Sequence, residues 1–180
     1  MAPWLVRGHL HVRPSIRRVL VWNRTPPRAQ AVVDQLRLDG IDARVALDLE
    51  AAAGQSQIIT CATRSHVPLI QGAWLQPGTH LDLVGGYTPQ TREADDEAAR
   101  RSRIFVDRRE SAFDGVGDIV QPIASGAICA QDVLGDLYDL VGGGRPGRLS
   151  PSDITFYKNA GGGHLDLITA QAVLARIGAG

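Results

Sequence analysis

The sequence is short of cysteine, of net charge and of long apolar runs, and each shortage closes off a class of protein. Only two cysteines occur, Cys61 and Cys129, too few for a disulfide framework and in keeping with a reducing, cytoplasmic compartment. Nineteen basic residues balance nineteen acidic ones, so the formal net charge is zero. No global field favours nucleic acid, and the arginine pairs are too scattered to form a basic tract. No apolar run approaches the roughly 20 residues that a membrane helix needs. The N-terminus, Met1-Ala2-Pro3-Trp4-Leu5-Val6-Arg7, has no basic region followed by a long apolar stretch, so it does not read as a secretory signal. His9, His11, His66 and His80 show no metal-ligand spacing, and no metal is expected.

What is present suffices for one soluble, globular domain: 180 residues, 44% of them hydrophobic. Arg18 to Trp22 is a short apolar run closed by Asn23-Arg24-Thr25-Pro26-Pro27, and Arg28 to Leu38 then has helical spacing through Ala29, Val32, Val33 and Leu36. Gly40 ends that helix. Asp42 to Leu47 reads as a second strand, followed by a short alanine-rich helix around Leu49 to Ala53. The pattern repeats with strands at Gln57 to Thr63, His80 to Gly85 and Arg103 to Asp107, and a helix at Asp95 to Ser102. Beyond Asp107 the texture predicts a loop-rich connection with Gly115, Gly117, Pro122 and Gly126, then a helix from Ala130 to Leu140. An Ile154-Thr155-Phe156-Tyr157 strand and a closing helix of roughly Leu165 to Ile177 complete the pass. Strands alternating with helices at this spacing indicate an α/β fold, a parallel sheet with helices on both faces.

The most informative stretch runs from Leu81 to Asp96. An apolar strand enters a Gly85-Gly86 turn, then a Thr88-Pro89 step, then an acidic helix start. In an open parallel sheet ligands sit at such carboxyl ends, where glycine lets a flat cofactor approach the backbone. Arg92, Glu93, Asp95 and Asp96 are expected as the charged entrance to the helix, which its dipole favours.

Taken in order, Val21-Trp22-Asn23-Arg24-Thr25, Ala62-Thr63, Trp74-Leu75-Gln76-Pro77-Gly78, Val84-Gly85-Gly86, Thr88-Pro89, Arg92-Glu93-Ala94-Asp95-Asp96-Glu97, Gly117-Asp118-Ile119 and Ile154-Thr155-Phe156-Tyr157-Lys158 resemble the ornithine cyclodeaminase and mu-crystallin family. No single motif is specific; the ordered set is. The resemblance implies NAD(P)-dependent chemistry on amino acids, cyclic imines or oxo acids. It implies a partial NAD(P)-binding Rossmann domain over residues 1–126. Residues 127–180 would be a C-terminal strand and helices that in the family return to the substrate and dimer domain. Against the family pattern, the first Rossmann strand and the Gly-x-Gly-x-Gln-Ala turn that cradles the pyrophosphate are expected to be missing, along with the dimerising, substrate-binding part. The sheet would therefore be incomplete. In the doubly wound order the missing strand lies between those at Val19 and Ile58, leaving a gap, two facing open edges or a rearranged pairing, any of which invites association.

Two readings stand beside each candidate residue. Asn23-Arg24-Thr25 follows the strand after which a Rossmann domain sorts NAD from NADP, and an arginine there leans to NADP; equally, Asn23 begins a turn and Thr25 caps a helix. Cys61, Ala62 and Thr63 end a strand where small residues would let a cofactor ribose lie against the backbone, with Cys61 a core residue and not a nucleophile. Val84, Gly85 and Gly86 resemble the family's nicotinamide edge. Tyr87 stands where ornithine cyclodeaminases proper carry Asp. A phenol with a pKa near 10 is a poor general base but can donate a hydrogen bond or a proton, which shifts the expected chemistry to reduction of a cyclic imino acid of the pyrroline-2-carboxylate or piperideine-2-carboxylate type. Tyr87 packing over the turn is the bland alternative. Asn159 matches the family segment that returns to the nicotinamide and the substrate carboxylate. The expectations are thus an NAD(P)H-dependent imine reductase, inactive in this form if the phosphate turn is indispensable; a truncated, non-catalytic remnant; or, in full-length form, a deaminating ornithine cyclodeaminase or an alanine dehydrogenase. Partners would be a small imino or amino acid and, in full-length form, a second copy in a homodimer, with neither nucleic acid nor membrane.

Overall fold

Short β-branched runs alternate with amphipathic, alanine- and leucine-rich stretches along the chain, and each alternation becomes a strand and helix step. The computed structural model describes residues 1–178, the side chain of His164 excepted. In order the elements are α1 (Ala2–Val12), β1 (Val19–Val21), α2 (Pro26–Leu38), β2 (Ala43–Val45), α3 (Leu49–Gly54), β3 (Ile58–Cys61), β4 (His80–Leu83), α4 (Asp96–Arg100), β5 (Ser102–Val106), α5 (Arg109–Phe113), α6 (Gly117–Ala124), β6 (Val133–Asp136), α7 (Leu137–Val141), β7 (Ile154–Lys158) and α8 (Gly163–Ile177). The fold is α/β with a Rossmann-type, wholly parallel arrangement of strands.

Local chemistry sets the element ends. Pro26 and Pro27 open α2, where a missing N–H is harmless, and Ala29, Val33 and Leu36 form its buried stripe. Gly40, at φ +77°, closes it: the Ile41 N–H donates to Leu36 O and the Gly40 N–H to Arg37 O, a Schellman stop. Asp48 caps α3 through the Ala51 N–H, and Asp95 caps α4 through the Ala98 N–H.

The strands do not form one sheet. β1 and β2 pair alone, and β3-β4-β7-β5-β6 form a five-stranded sheet. The gap falls between β1 and β3, at the position expected for the missing first strand. It divides the hydrophobic interior as well. The main core lies against the larger sheet, with Leu81, Leu83, Ile104, Val106, Ile119 and Phe156 buried, while Val33, Leu36 and Ala43 centre a small core beneath β1 and β2. β6 and β7, from beyond residue 126, pair into the same sheet as β3, β4 and β5.

Three stretches differ from what the sequence predicts. Residues 2–12 form α1, for which no element is expected. The predicted loop after Asp107 holds α5 and α6, with Pro122 inside the latter. The predicted helix over 130–140 is broken into a 3-10 turn, edge strand β6 and α7. There Asp136 imposes a helix start, accepting from the Tyr138 and Asp139 N–H groups with Asp139 completing a capping box. A side chain at Gly135 would crowd Asp139, so Val133 to Asp136 extends along β5 instead. At the other end of the chain, α8 leaves Leu167, Ile168, Leu174 and Ile177 exposed. Among the described residues no helix is long and apolar enough to cross a membrane.

One polar link ties α1 to the larger sheet. Asp82, in the middle of β4, accepts from His9 Nε2–H at 2.9 Å and from the Thr60 hydroxyl at 3.0 Å. Burial alone would push its carboxyl up, but those hydrogen bonds and the nearby His9 and His80 rings outweigh burial and hold it below the usual aspartate value. Its stabilisation is therefore fully present above the unfolded aspartate pKa of about 3.9 and lost as pH falls through the lower folded value. His9→Ala is expected to cost about 1–3 kcal/mol near neutral pH and to speed amide exchange in α1. Denaturant titrations from neutral to acid pH should show the variant's deficit shrinking once Asp82 protonates; a deficit independent of pH would contradict the link.

Candidate cofactor site

Because the strands of the larger sheet run parallel, the loops that leave β3, β4 and β7 emerge on one edge. That edge is fixed by buried charge. The sequence contains a single lysine, Lys158, the last residue of β7, and its side chain is fully buried. Lys158 Nζ donates to Gly85 O and lies 3.3 Å from Asp118 Oδ2. Asp118 Oδ1 accepts from the Glu93 N–H at 2.7 Å and the Ala94 N–H at 3.3 Å. The Glu93 carboxylate accepts in turn from the Thr63 N–H (2.5 Å) and the Gly85 N–H (2.7 Å). Gly85 is thus held by both its N–H and its carbonyl. Burial pushes the carboxyls of Asp118 and Glu93 up, against the opposing pull of Lys158 on both and of the Thr63 hydrogen bond on Glu93.

Only glycine fits this turn. A Cβ at Gly85 would run into the Thr63 carbonyl, and one at Gly86, where φ is +60°, into the Asp118 carboxylate. A second acid fixes the loop after β7. Asp107, buried at the end of β5, accepts from the Ala160 N–H at 3.0 Å and the Gly161 N–H at 2.8 Å, which sets the backbone on which Asn159 sits.

The structure joins most of the expected positions. The Val84 N–H donates to Cys61 O and the Asn159 N–H to Leu83 O, both at 2.9 Å, so Cys61, Ala62, Thr63, Val84, Gly85, Gly86 and Asn159 form one continuous lip. Tyr87, half exposed, stands on that lip beyond Gly86. Cys61 is buried, and burial together with the Glu93, Asp118 and Asp82 carboxylates pushes its thiol well up, so it stays protonated. Asn23, Arg24 and Thr25 stand apart, beyond the gap, with Asn23 and Arg24 beside a pocket of about 220 Å³ shared with Val45 and Leu47. Asn23 Oδ1 accepts from the Thr25 N–H at 2.9 Å. Thr25 is the N-cap residue of α2 but makes no side-chain cap. The Arg24 side chain is exposed at the pocket mouth.

Glu93 is not part of the helix entrance. It and Arg92 are buried ahead of α4, and only Asp95 and Asp96 take up the expected places: Asp95 caps the helix, and Asp96 pairs with Arg92 at 2.8 Å. The roles of Asp107, Asp118 and Lys158 escape a reading by motif. The available signal was the lone lysine at the end of an apolar strand, in a chain whose other cationic side chains are arginines. Among the described residues no group of three His, Cys, Asp or Glu side chains is placed to hold a metal.

For a dinucleotide the fit is partial. The glycine turn and small strand ends offer backbone to a flat ring, and the Arg24 pocket lies at the far side. α1, however, opens with Ala2-Pro3, and a proline in the first turn removes an N–H that a diphosphate would use. Lys158→Met would leave Asp118 buried without its cation and is expected to cost about 3–5 kcal/mol at neutral pH. The loss should be smaller in acid, where Asp118 can take up a proton, and adding Asp118→Asn should recover part of it. Urea melts of the single and double variants at two pH values check this; equal losses at both would contradict an unpaired carboxylate.

The geometry has counterparts among known proteins. A Δ1-pyrroline-2-carboxylate reductase of Paracoccus denitrificans is 49% identical over 182 aligned residues, covering 100% of this chain and 57% of its own length. The Thermococcus litoralis Δ1-pyrroline-2-carboxylate reductase, solved in complex with NADH and L-proline, superposes with a TM-score of 0.86 at 29% identity, over 89% of this chain and 50% of that one. The iminosuccinate reductase of Paracoccus denitrificans, solved with NAD+, gives a TM-score of 0.86 at 27% identity, over 96% and 52%. The chain therefore spans little more than half the length of the relatives it matches. Residues 9–180 match the ornithine cyclodeaminase/mu-crystallin family, and with the glycine turn, the strand-end crevice and these relatives in agreement, the chain belongs to that family.

Proposed function

We propose that this chain forms the cofactor side of an NAD(P)H-dependent reductase acting on the C=N bond of a cyclic imino acid of the pyrroline-2-carboxylate or piperideine-2-carboxylate type. The observation that carries the reading is the 49% identity to a Δ1-pyrroline-2-carboxylate reductase along the whole of this chain. When bound, a reduced nicotinamide supplies hydride. Gly85 and Gly86 keep the backbone open to a flat ring, and the Lys158, Asp118 and Glu93 clamp holds that backbone still. Tyr87 is the donor for the imine nitrogen, since a phenol O–H can give a hydrogen bond or a proton there. Asn159 closes the same lip, and Cys61, Ala62 and Thr63 offer a ribose their strand end. Arg24, with Asn23 and Thr25, receives the adenosine end and favours the 2′-phosphate of NADP. The setting is a reducing cytoplasm, where Cys61 and Cys129 remain free thiols, and the assembled form is a homodimer.

A second reading, a non-catalytic remnant, is favoured by the Ala2-Pro3 opening of α1, which offers a diphosphate fewer N–H donors. Fluorescence titration with NADPH and NADH, followed by turnover with each cyclic imine, separates the two. The reductase reading expects binding of both nucleotides with NADPH the tighter, and Arg24→Ala weakening NADPH about tenfold, about 1.4 kcal/mol, while sparing NADH. Tyr87→Phe is expected to lower kcat by about 10²-fold with nucleotide affinity unchanged. Absence of nucleotide binding and of turnover would establish the remnant reading for this chain.

A further inference from the structure

The turn that leaves β4 gives most of its backbone polar groups to the interior and leaves two of them without a partner. The Gly85 N–H donates to Glu93 at 2.7 Å, and the Gly85 carbonyl accepts from Lys158. The Gly117 N–H, at the start of α6, donates to the Gly86 carbonyl at 3.0 Å and to the Thr88 carbonyl at 3.1 Å. No peptide bond among the described residues is cis, and across a trans peptide plane the N–H points away from the C=O. The carbonyls of Gly85 and Gly86 turn inward, to Lys158 and α6, so the N–H groups of Gly86 and Tyr87 turn the other way, to the crevice side. Among the described residues neither N–H meets an acceptor. Gly86 is buried and Tyr87 half exposed, and an orphaned N–H on a buried residue is rare in a native structure.

The rest of the turn is pinned as well. Gln121 Nε2–H donates to Pro89 O at 2.8 Å, His66 Nδ1 lies 3.2 Å from Gln90 O, and the Thr88 N–H reaches the Thr91 hydroxyl at 3.2 Å. Donors fixed before a ligand arrives cost no reorganisation when it binds. What surrounds the two N–H groups selects the ligand. Both Glu93 oxygens and Asp118 Oδ1 are spent on backbone N–H groups, and Asp118 Oδ2, which has no hydrogen bond, sits behind Gly86 where a Cβ would strike it. Asn159 Oδ1 is spent on the Gly161 N–H at 2.9 Å, so that side chain too has only donors left to give. Arg64, next in the chain to Thr63, is exposed and pairs with no carboxylate among the described residues. Successive N–H groups beside a left-handed glycine make a concavity suited to an anion, and bonds to an ionised acceptor are about twice as strong as neutral ones.

We propose that the N–H groups of Gly86 and Tyr87 form a two-donor site for the carboxylate of the imino acid. The inference rests on the reductase reading given above and adds to it a place where the substrate is held. In a cyclic 2-imino acid the carboxylate is bonded to the carbon of the C=N bond, so the group that docks and the group that reacts are neighbours. Tyr87 then serves twice, its main chain fixing the carboxylate and its phenol donating to the imine nitrogen. A ligand with a neutral amide in place of the carboxylate loses the charge that makes these two bonds strong.

The test follows the backbone amide resonances of the isotope-labelled chain while L-proline, the product of pyrroline-2-carboxylate reduction, is titrated in. The amide protons of Gly86 and Tyr87 are expected to move downfield and saturate together. Those of Gly85 and Gly117, already bonded to Glu93 and to the turn, should stay in place. L-prolinamide at the same concentrations should leave all four where they are. Silence of Gly86 and Tyr87 overturns the proposal, and so does an equal response to the amide. If NADH alone moves the pair and L-proline adds nothing, the carboxamide oxygen of the nicotinamide is the acceptor, and the proposal fails. A second arm replaces Tyr87 by its α-hydroxy acid analogue, which keeps the phenol and exchanges the N–H for an ester oxygen. L-proline is expected to bind about tenfold more weakly, about 1.4 kcal/mol, and unchanged binding would overturn the proposal. Turnover of a cyclic imine with both amides silent would sink the donor pair and leave the reductase reading. Responsive amides without nucleotide binding or turnover would do the reverse.

Discussion

The buried contact between Lys158 and Asp118 is the constraint on which the functional edge of this molecule depends. It ties the end of β7 to the start of α6 and, through Gly85, to the turn that leaves β4. An ion pair in an apolar interior is stable only when its remaining donors and acceptors are satisfied. Here the backbone supplies part of that satisfaction: Glu93 and Ala94 donate to Asp118 Oδ1 and Gly85 accepts from Lys158, while Asp118 Oδ2 has no hydrogen bond and rests on the ion-pair contact with Lys158. Glu93 adds a second carboxylate that grips Thr63 and Gly85. Three loops from three strands are thus fixed by side chains that never reach the surface. A crevice that must present bare backbone to a ligand has few side chains of its own to stiffen it, and this arrangement stiffens it from behind.

Much of this was legible in the chain. The alternation of apolar runs with amphipathic stretches gives an α/β fold, and the glycine turns and strand ends mark the crevice, because both signals are local. The gap in the sheet could be anticipated as well, since it follows from the order of motifs. What escaped is what depends on context. Residues 130–140 have helical spacing, yet Asp136 caps a helix that starts late and Gly135 admits close packing, so a strand precedes it. Glu93 sits in an acidic run that reads as a helix entrance, and only the fold shows that its carboxylate turns inward. Asp107 and Lys158 likewise look like ordinary charges at strand ends until the neighbouring loops are in place.

Division of the interior into two cores has an energetic meaning. The small core around Val33, Leu36 and Ala43 buries little apolar surface, and small cores confer little stability. The unit made of β1, β2 and α2 carries Asn23 and Arg24, so the half of the crevice expected to receive adenosine rests on the weaker foundation. Arg7 on α1 helps, pairing with Asp39 beyond α2 at 2.6 Å, but that pair is partly exposed and contributes modestly.

The place of β7 has a consequence for how the chain reaches this state. β7 is the last strand in sequence and the middle one in its sheet, with β3 and β4 on one side and β5 and β6 on the other. During synthesis those two pairs emerge first and cannot join until residues 154–158 have left the ribosome. Contacts of such long sequence separation form slowly, and meanwhile β4 and β5 wait with bare inner edges. The lysine that fixes the crevice arrives on that same strand, so completion of the sheet and setting of the turn at Gly85 are a single late event.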